Sequence, residues 1–342
     1  MAVLDLLYAG GVDMDFLSVA SLAEGDVVTA NATTFAVTLD DEVVTFYGTG
    51  FTYNTQGVPT GGTITRVTSS YLGVNMFDLK SLSVPVQQVV TWALEGDDLG
   101  MANTVLGGAD TINGSAGGDL VSGFGGANLV NAGGGDDSVA GMVGSSDTVY
   151  GGAGNDLIVS ESYSFNYFRG EAGDDRIIGG YGFDDLHGNQ GNDSVAGNLG
   201  DDWVVGGQGS DFLLGNEGFD VVLGNLGADT AQGGAGIDWV RGGQQDDVLD
   251  GGLGDDWLSG DRDNDTVTGG AGADTFNFFA EAGVDRVTDF SAADGDKVRL
   301  EPGSTYSAAQ VGADTVITVG AAQMTLVGVQ MNSLGAGWIY VA

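Results

Sequence analysis

Between Val105 and Asn277 apolar residues recur every nine positions, with glycine and aspartate fixed in the polar stretch between them. Twelve copies run without insertion, starting at Gly170, Gly179, Gly188, Gly197, Gly206, Gly215, Gly224, Gly233, Gly242, Gly251, Gly260 and Gly269. In each, the eighth residue is apolar, from Ile177 to Phe276, with Ala231 the smallest. The sixth is Asp throughout: Asp175, Asp184, Asp193, Asp202, Asp211, Asp220, Asp229, Asp238, Asp247, Asp256, Asp265 and Asp274. Seven looser copies precede them, with Asp110, Asp119, Asn128, Asp137, Asp147, Asp156 and Asn166 at the sixth position; those at 141–150 and 160–169 carry one extra residue. A nine-residue period is the mark of a parallel β-roll. Each copy predicts a glycine turn followed by a very short x-apolar-x strand with the apolar residue inward. Two copies make one eighteen-residue coil, and coils stacked about 4.8 Å apart predict a rod of roughly 45 Å for the whole array.

The flanks are patterned differently. In residues 1–104, Thr33–Leu39, Val43–Tyr47, Gly50–Tyr53 and Gly62–Val67 read as β-strands, Asn54–Gly62 as a turn, and Tyr71–Leu82 as a further strand or two. Ser83 then reads as a helix cap, with Pro85 in the first turn and Gly96 as the stop. The segmentation is a β-rich N-terminal cap or interaction domain with one short helix over 1–104, the roll over 105–277, and a β-rich C-terminal cap over 278–342. The fold class is all-β.

The residue types of the repeat match one chemistry. Glycines permit positive φ and bring carbonyls toward a common point, and the aspartate adds a hard anionic oxygen. Such mixed carboxylate and carbonyl shells suit Ca²⁺, which takes six to eight oxygens. The clearest turns are Gly206-Gly207-Gln208-Gly209-Ser210-Asp211 and Gly251-Gly252-Leu253-Gly254-Asp255-Asp256. Alternate copies fall on alternate edges. Asp119, Asp137, Asp156, Asp175, Asp193, Asp211, Asp229, Asp247 and Asp265 line one edge. Asp110, Asn128, Asp147, Asn166, Asp184, Asp202, Asp220, Asp238, Asp256 and Asp274 line the other. With one ion between successive turns, Asp–Asp pairs give about 13 well-formed sites, and the pairs that include Asn128 or Asn166 are expected to be weak or empty. Gln245 and Asp263 replace the fourth-position glycine in their copies, which makes those two turns less regular in expectation.

Charge agrees. The chain has 48 acids against 9 bases, a formal −39. Stacked carboxylates repel, so the roll is expected to stay unfolded until metal cancels them, and metal supplies much of the folding free energy.

The repeats resemble those of the bacterial repeats-in-toxin family of secreted calcium-binding proteins. The segments Ala273–Phe278, Val284–Phe290 and Gly295–Leu300 resemble the family's "DTF…D.I.DF…GD.I.L" ending. The resemblance implies Ca²⁺ held by the sixth-position aspartates and main-chain carbonyls of the glycine turn. It also implies an uncleaved C-terminal signal for one-step (type I) export from Gram-negative cells, for which the apolar Trp338–Ala342 is suited. Cysteine is absent, no leader peptide is visible near the N-terminus, and no apolar run is long enough to span a membrane. Secreted, extracellular or cell-surface localisation follows as an expectation, with low cytosolic Ca²⁺ keeping the chain unfolded for export.

Outward positions suggest a contact surface. Tyr167, Trp203, Val221, Trp239 and Trp257 recur at multiples of eighteen and predict a stripe, with Val205 and Leu223 on the same face. Cover by the C-terminal segment of the same chain and contact with a partner or second copy are both open. Catalytic motifs are missing: there is no His-Glu-x-x-His or Gly-x-Ser-x-Gly, and the one histidine, His187, reads as a surface residue. The acidic balance argues against nucleic acid as a partner. The expectation is a non-catalytic calcium-binding structural protein that assembles as a homo-oligomer or filament, with a monomeric diffusible effector or carrier as the first alternative and an enzyme with an unrecognised N-terminal catalytic module as the second.

Overall fold

A computed structural model describes residues 3–6, 26–30, 34–39, 42–53, 59–71, 74–85, 108–122, 125–142 and 146–342. The chain divides into two compact units, Met1–Glu161 and Ser162–Ala342, so the division falls inside the repeat array.

In the first unit the N-terminal strands form an antiparallel meander. Asp26–Ala30 pairs with Thr34–Leu39, then Glu42–Tyr53, Pro59–Tyr71 and Val74–Pro85 follow in order. The two predicted strands at 43–47 and 50–53 are one strand, with its register interrupted between Tyr47 and Thr52. The expected turn at 54–62 is shorter, because pairing resumes at Pro59. The predicted helix cap is also corrected. Ser83 and Pro85 lie in strand Val74–Pro85, where Pro85 faces Thr63 as the last residue, a place that tolerates a missing N–H. The rest of the expected helix, 86–96, lies outside the described residues. Val3–Leu6 joins the two architectures. It runs antiparallel to Val74–Pro85 and parallel to Thr111–Asn113, the first repeat strand. Thr111–Asn113, Leu129–Gly134 and Thr148–Ala153 then stack in parallel, as do Leu120–Ser122, Ser138–Met142 and Leu157–Ser160.

The second unit is a parallel β-solenoid with two sheets. One stacks Asn166–Ala172, Asp184–Gln190, Trp203–Gln208, Val221–Leu226, Trp239–Gln244, Trp257–Asp261, Thr275–Phe278, Lys297–Leu300 and Ile339–Val341. The other stacks Arg176–Ile178, Ser194–Leu199, Phe212–Glu217, Thr230–Ala235, Val248–Leu253, Thr266–Ala271 and Val284–Val287. Register advances by one coil per strand, as in Trp203↔Val221 and Trp239↔Trp257. The eighth-position side chains form the core: Leu186, Val204, Val222, Leu213 and Leu249 have no exposed surface.

Strands are longer than the predicted triplet. Trp203–Gln208 continues through Gly206-Gly207-Gln208, the first three residues of the next copy. The ladder tolerates these glycines because adjacent coils carry the same conformation at the same place.

After Phe278 the coil lengthens. Thr266 faces Arg286 and Thr275 faces Lys297. The second sheet then ends in a meander: Ala322–Leu326 pairs in parallel with Val284–Val287, and Asp314–Val319 and Tyr306–Val311 follow antiparallel. Phe290 packs between Phe276 and Trp338 at ring-centroid distances of 5.9 and 6.3 Å. The C-terminal segment therefore closes the end of the solenoid. It does not fold back over the tryptophan stripe, and Trp203 and Trp239 remain 46% and 52% exposed. Val205, expected on that outer face, is instead buried, since its strand neighbours His187 and Leu223 flank it at the same pleat.

Candidate calcium ladders

Each glycine turn is built around its own aspartate. The second and fourth positions take left-handed backbone: Gly207 and Gly209 have φ of 124° and 121°, Gly252 and Gly254 of 108° and 127°. Where the second position is not glycine it is most often asparagine, the side chain that best tolerates this region; Asn189, Asn198, Asn216 and Asn225 all have φ near 80°. Gln245 and Asp263 hold the same conformation at the fourth position, φ 80° and 77°, so those turns keep the common geometry. Backbone strain of about 1–3 kcal/mol each accompanies them.

The first-position glycine has a different cause. Gly206 does not have positive φ, but a Cβ there would fall on Oδ2 of Asp211. Gly224 stands in the same relation to Asp229, Gly242 to Asp247 and Gly251 to Asp256. The carboxylate occupies the space that a side chain would fill, which is why glycine at the first position and aspartate at the sixth occur together.

One carboxylate oxygen holds the next coil. Along both edges Oδ1 of a sixth-position aspartate accepts the backbone N–H of the sixth residue one coil earlier. Asp175, Asp193, Asp211, Asp229 and Asp247 donate in turn to Asp193, Asp211, Asp229, Asp247 and Asp265, at 2.8–2.9 Å. On the other edge Asp184, Asp202, Asp220, Asp238 and Asp256 donate to Asp202, Asp220, Asp238, Asp256 and Asp274, at 2.7–2.9 Å. In the first unit Asp119 and Asp137 donate likewise to Asp137 and Asp156.

The second oxygen has no such partner. Oδ2 of Asp193, Asp202, Asp211, Asp220, Asp229, Asp238, Asp247, Asp256, Asp265 and Asp274 is buried and accepts no hydrogen bond. A buried ionised oxygen without a donor is costly, so it must be protonated or meet a cation. Burial, the largest cause, pushes these carboxyls up: Asp211 and Asp265 to about 7, Asp202 and Asp247 to about 8. Neighbouring carboxylates in the ladder push the same way. Among the described residues no three acidic or imidazole side chains converge. An ion at a rung would therefore take two carboxylates and complete its shell with turn carbonyls, the oxygen-rich arrangement Ca²⁺ accepts. Bound there, Ca²⁺ supplies positive charge to the inward-facing Oδ2 atoms; the chain supplies the spacing and the glycine room.

Two turns depart from the pattern. Asp184 has Oδ2 filled by the Gly180 N–H at 2.7 Å and Oδ1 by the backbone and side-chain amides of Asn166. Asp119 Oδ2 likewise accepts the Ser115 N–H at 2.6 Å. The asparagines differ too. Nδ2 of Asn128 donates to the Gly126 carbonyl at 3.4 Å, and that of Asn166 to the Ser164 carbonyl at 3.2 Å. Each amide thus points a donor at an oxygen that an ion would otherwise use.

The ladders also run past the nonapeptides. Asp265 N–H donates to Asp285 Oδ1 at 3.2 Å, and Asp274 N–H to Asp296 Oδ1 at 3.0 Å. Burial beside Asp265 pushes Asp285 up to about 8. Both were missed by counting nines, because longer coils separate them from their predecessors. The surviving signal is the Asp-x-Val triplet at Asp285-Arg286-Val287 and Asp296-Lys297-Val298. A second, outer ladder was also missed. Fifth-position Asp174, Asp201, Asp246 and Asp255 accept backbone N–H groups of Asn192, Phe219, Asn264 and Ala273 on the following coil.

Of the stripe residues, Trp239 lies 5.9 Å from Trp257 between ring centroids, and Phe219 meets Trp239 edge-on. Val221 and Trp257 are half-buried. Tyr167 lies beneath the guanidinium of Arg169, 3.5 Å from its ring centroid. Arg169 and His187 both reach Asp185 Oδ1 at 2.9 Å, and burial, with the Arg169 charge, lowers the pKa of the histidine, so it stands as a half-buried neighbour of the Arg169–Asp185 ion pair on the sheet face.

The model of the RTX calcium-binding nonapeptide repeat matches residues 105–139, 144–162, 169–204, 187–222, 223–258 and 250–278. No curated protein sequence matches the chain. Among solved structures, the extracellular lipase LipA from Serratia marcescens aligns with 68% of this chain and 40% of its own, at 20% identity and a TM-score of 0.30. The chain thus spans well under half of that lipase. With its glycine turns, carboxylate ladders and parallel coils, the array over 105–278 is built of RTX calcium-binding nonapeptide repeats.

Proposed function

We propose that this protein is a secreted, non-catalytic, calcium-binding structural component of the bacterial cell exterior: a surface layer, filament, biofilm matrix or small adhesin that folds and assembles when Ca²⁺ fills its ladders. The observation that carries this reading is the row of buried, donor-free Oδ2 atoms from Asp193 to Asp274. Such a row is self-repelling without cations, and the chain's 48 acids against 9 bases offer no internal neutralisation. The ions sit between successive coils, about 13 in all if each Asp–Asp pair takes one. Segment 278–342 serves as cap and export signal, and 1–104 as cap or interaction domain. Support for a structural role comes from the small one-residue-wide core, which makes the roll depend on metal for rigidity.

The test pairs circular dichroism with light scattering, first in millimolar Ca²⁺ and then in chelator. Calcium-dependent β structure together with calcium-dependent growth in mass is the expected result. β structure indifferent to chelator sinks the calcium reading. Calcium-dependent folding of a particle that stays monomeric at every concentration leaves a diffusible calcium-binding effector or carrier. Hydrolytic activity in the calcium-loaded chain would overturn the non-catalytic part.

A further inference from the structure

The second sheet of the C-terminal unit ends in an unguarded edge. Among the described residues, Tyr306–Val311 is hydrogen-bonded along one side only, to Asp314–Val319. Five of its six residues are exposed and Ala308 is half-buried, so neither face packs on the core. The strand reads Tyr-Ser-Ala-Ala-Gln-Val, with no proline, no charge and no side chain large enough at its centre to obstruct another backbone. Natural sheets blunt such edges with lysine, proline or a bulge, and none is present here. The edge is also held ready. Gln310 Nε2 donates to the carbonyls of Gly312 and Asp314, and its Oε1 accepts the Met331 N–H at 2.6 Å, which ties the strand to the cap.

We infer that this edge pairs with the same edge of a second copy of the chain, antiparallel about a two-fold axis near Ala308 and Ala309. Charge selects that partner. The chain carries −39, so two copies repel over most of their surface. From Pro302 to Ala342 the one charged side chain is Asp314, and its Oδ1 accepts the Gly328 N–H at 2.7 Å. Residues 302–342 are thus a nearly uncharged part of an acidic molecule, and two such edges approach with little opposing charge. An antiparallel pair of identical strands is self-complementary, as a two-fold dimer requires. Pairing satisfies the outward N–H and C=O groups of both strands and joins the two sheets into one. The inference deepens the assembly reading and rests on it, because it names where copies meet.

The chain has no cysteine, so a single introduced thiol reports only contacts between copies. The experiment uses the full chain in millimolar Ca²⁺. Single cysteines placed in turn at Ser307, Ala308 and Ala309 and oxidised are expected to give a disulfide dimer at the position nearest the axis. The double variant Ala308→Asp/Ala309→Asp sets like charges opposite one another and is expected to weaken self-association about 100-fold by light scattering. Its calcium-dependent circular dichroism stays that of the parent. A parent that associates while the double variant associates equally well overturns the edge but not assembly. A parent that is monomeric throughout overturns both. Should the double variant misfold, the cysteines decide: no disulfide dimer at any of the three positions overturns the pairing.

Discussion

Two turns with the same sequence formula end differently. Gly206-Gly207-Gln208-Gly209-Ser210-Asp211 carries its strand through Gln208, bends at left-handed Gly207 and Gly209, and leaves Asp211 Oδ2 without a donor. Gly179-Gly180-Tyr181-Gly182-Phe183-Asp184 ends its strand at Ile178, keeps Gly180 and Gly182 out of the left-handed region, and closes Asp184 Oδ2 on the Gly180 N–H. The neighbouring coil accounts for the difference. The turn at 206–211 stacks on a regular turn, Gly188–Asp193, whose carbonyls meet Gly207 and Gly209. The turn at 179–184 stacks on the irregular copy at 160–169, where Ser162 and Tyr163 crowd Gly180 and Gly182 and the Tyr181 N–H donates to Ser162. The motif alone therefore does not leave the carboxylate open, and in this pair the neighbouring coil makes the difference. Asp119, the first rung on its edge, is closed too, by the Ser115 N–H.

The largest expected contrast follows from removing calcium. Chelator should abolish the β signal of 188–274, where open carboxylates are stacked, and hydrogen exchange should show the turn at 179–184 losing protection less steeply with falling calcium. Equal loss throughout would erase the distinction. Next come the aspartates. Asp211→Asn or Asp229→Asn removes an anionic oxygen from two adjacent rungs, and the calcium midpoint of folding should rise at least 10-fold, as loss of even an outer-shell partner does. Asp184→Asn, whose oxygens are already met by amides, should move the midpoint far less; calcium titration by calorimetry checks both.

Glycine tests the coupling from the other side. Gly206→Ala drives a methyl group into Asp211 Oδ2 and should destabilise the calcium-loaded protein by about 1–3 kcal/mol in denaturant melts. If it is silent, the carboxylate is not held where the first-position glycine leaves room.

Acidity offers a milder contrast. Asp202, Asp211, Asp247 and Asp265 have folded-state values raised to about 7–8, above their ordinary 3.8. The folded state then binds more protons than the unfolded one, so metal-free stability is present below about pH 4 and is lost as pH rises toward 8. In chelator, β structure should grow on acidification from pH 8 to pH 5, and calcium affinity should fall over the same range as protons compete. A metal-free signal that instead grows with pH contradicts the raised values. The smallest expected effect belongs to the stripe. Trp203→Ala and Trp239→Ala should leave calcium folding within about 0.5 kcal/mol, because both rings are about half exposed.

By itself the sequence determined the period, the inward apolar column, the two aspartate edges and the calcium chemistry. Each depends on a local rule, such as which residue tolerates left-handed backbone or which oxygen suits a hard cation, and repetition makes a local rule readable. Three-dimensional contact decided the rest. It settled that Gly206 is needed for the space beneath it and not for its φ, that Asp184 closes on itself, and that Asp285 and Asp296 continue ladders whose spacing in the chain has changed. It also placed Pro85 at a strand end and left Tyr306–Val311 with a partner on one side only, among the described residues. Those outcomes depend on what lies one coil away, and the distance along the chain to that neighbour is fixed only while every coil has the same length.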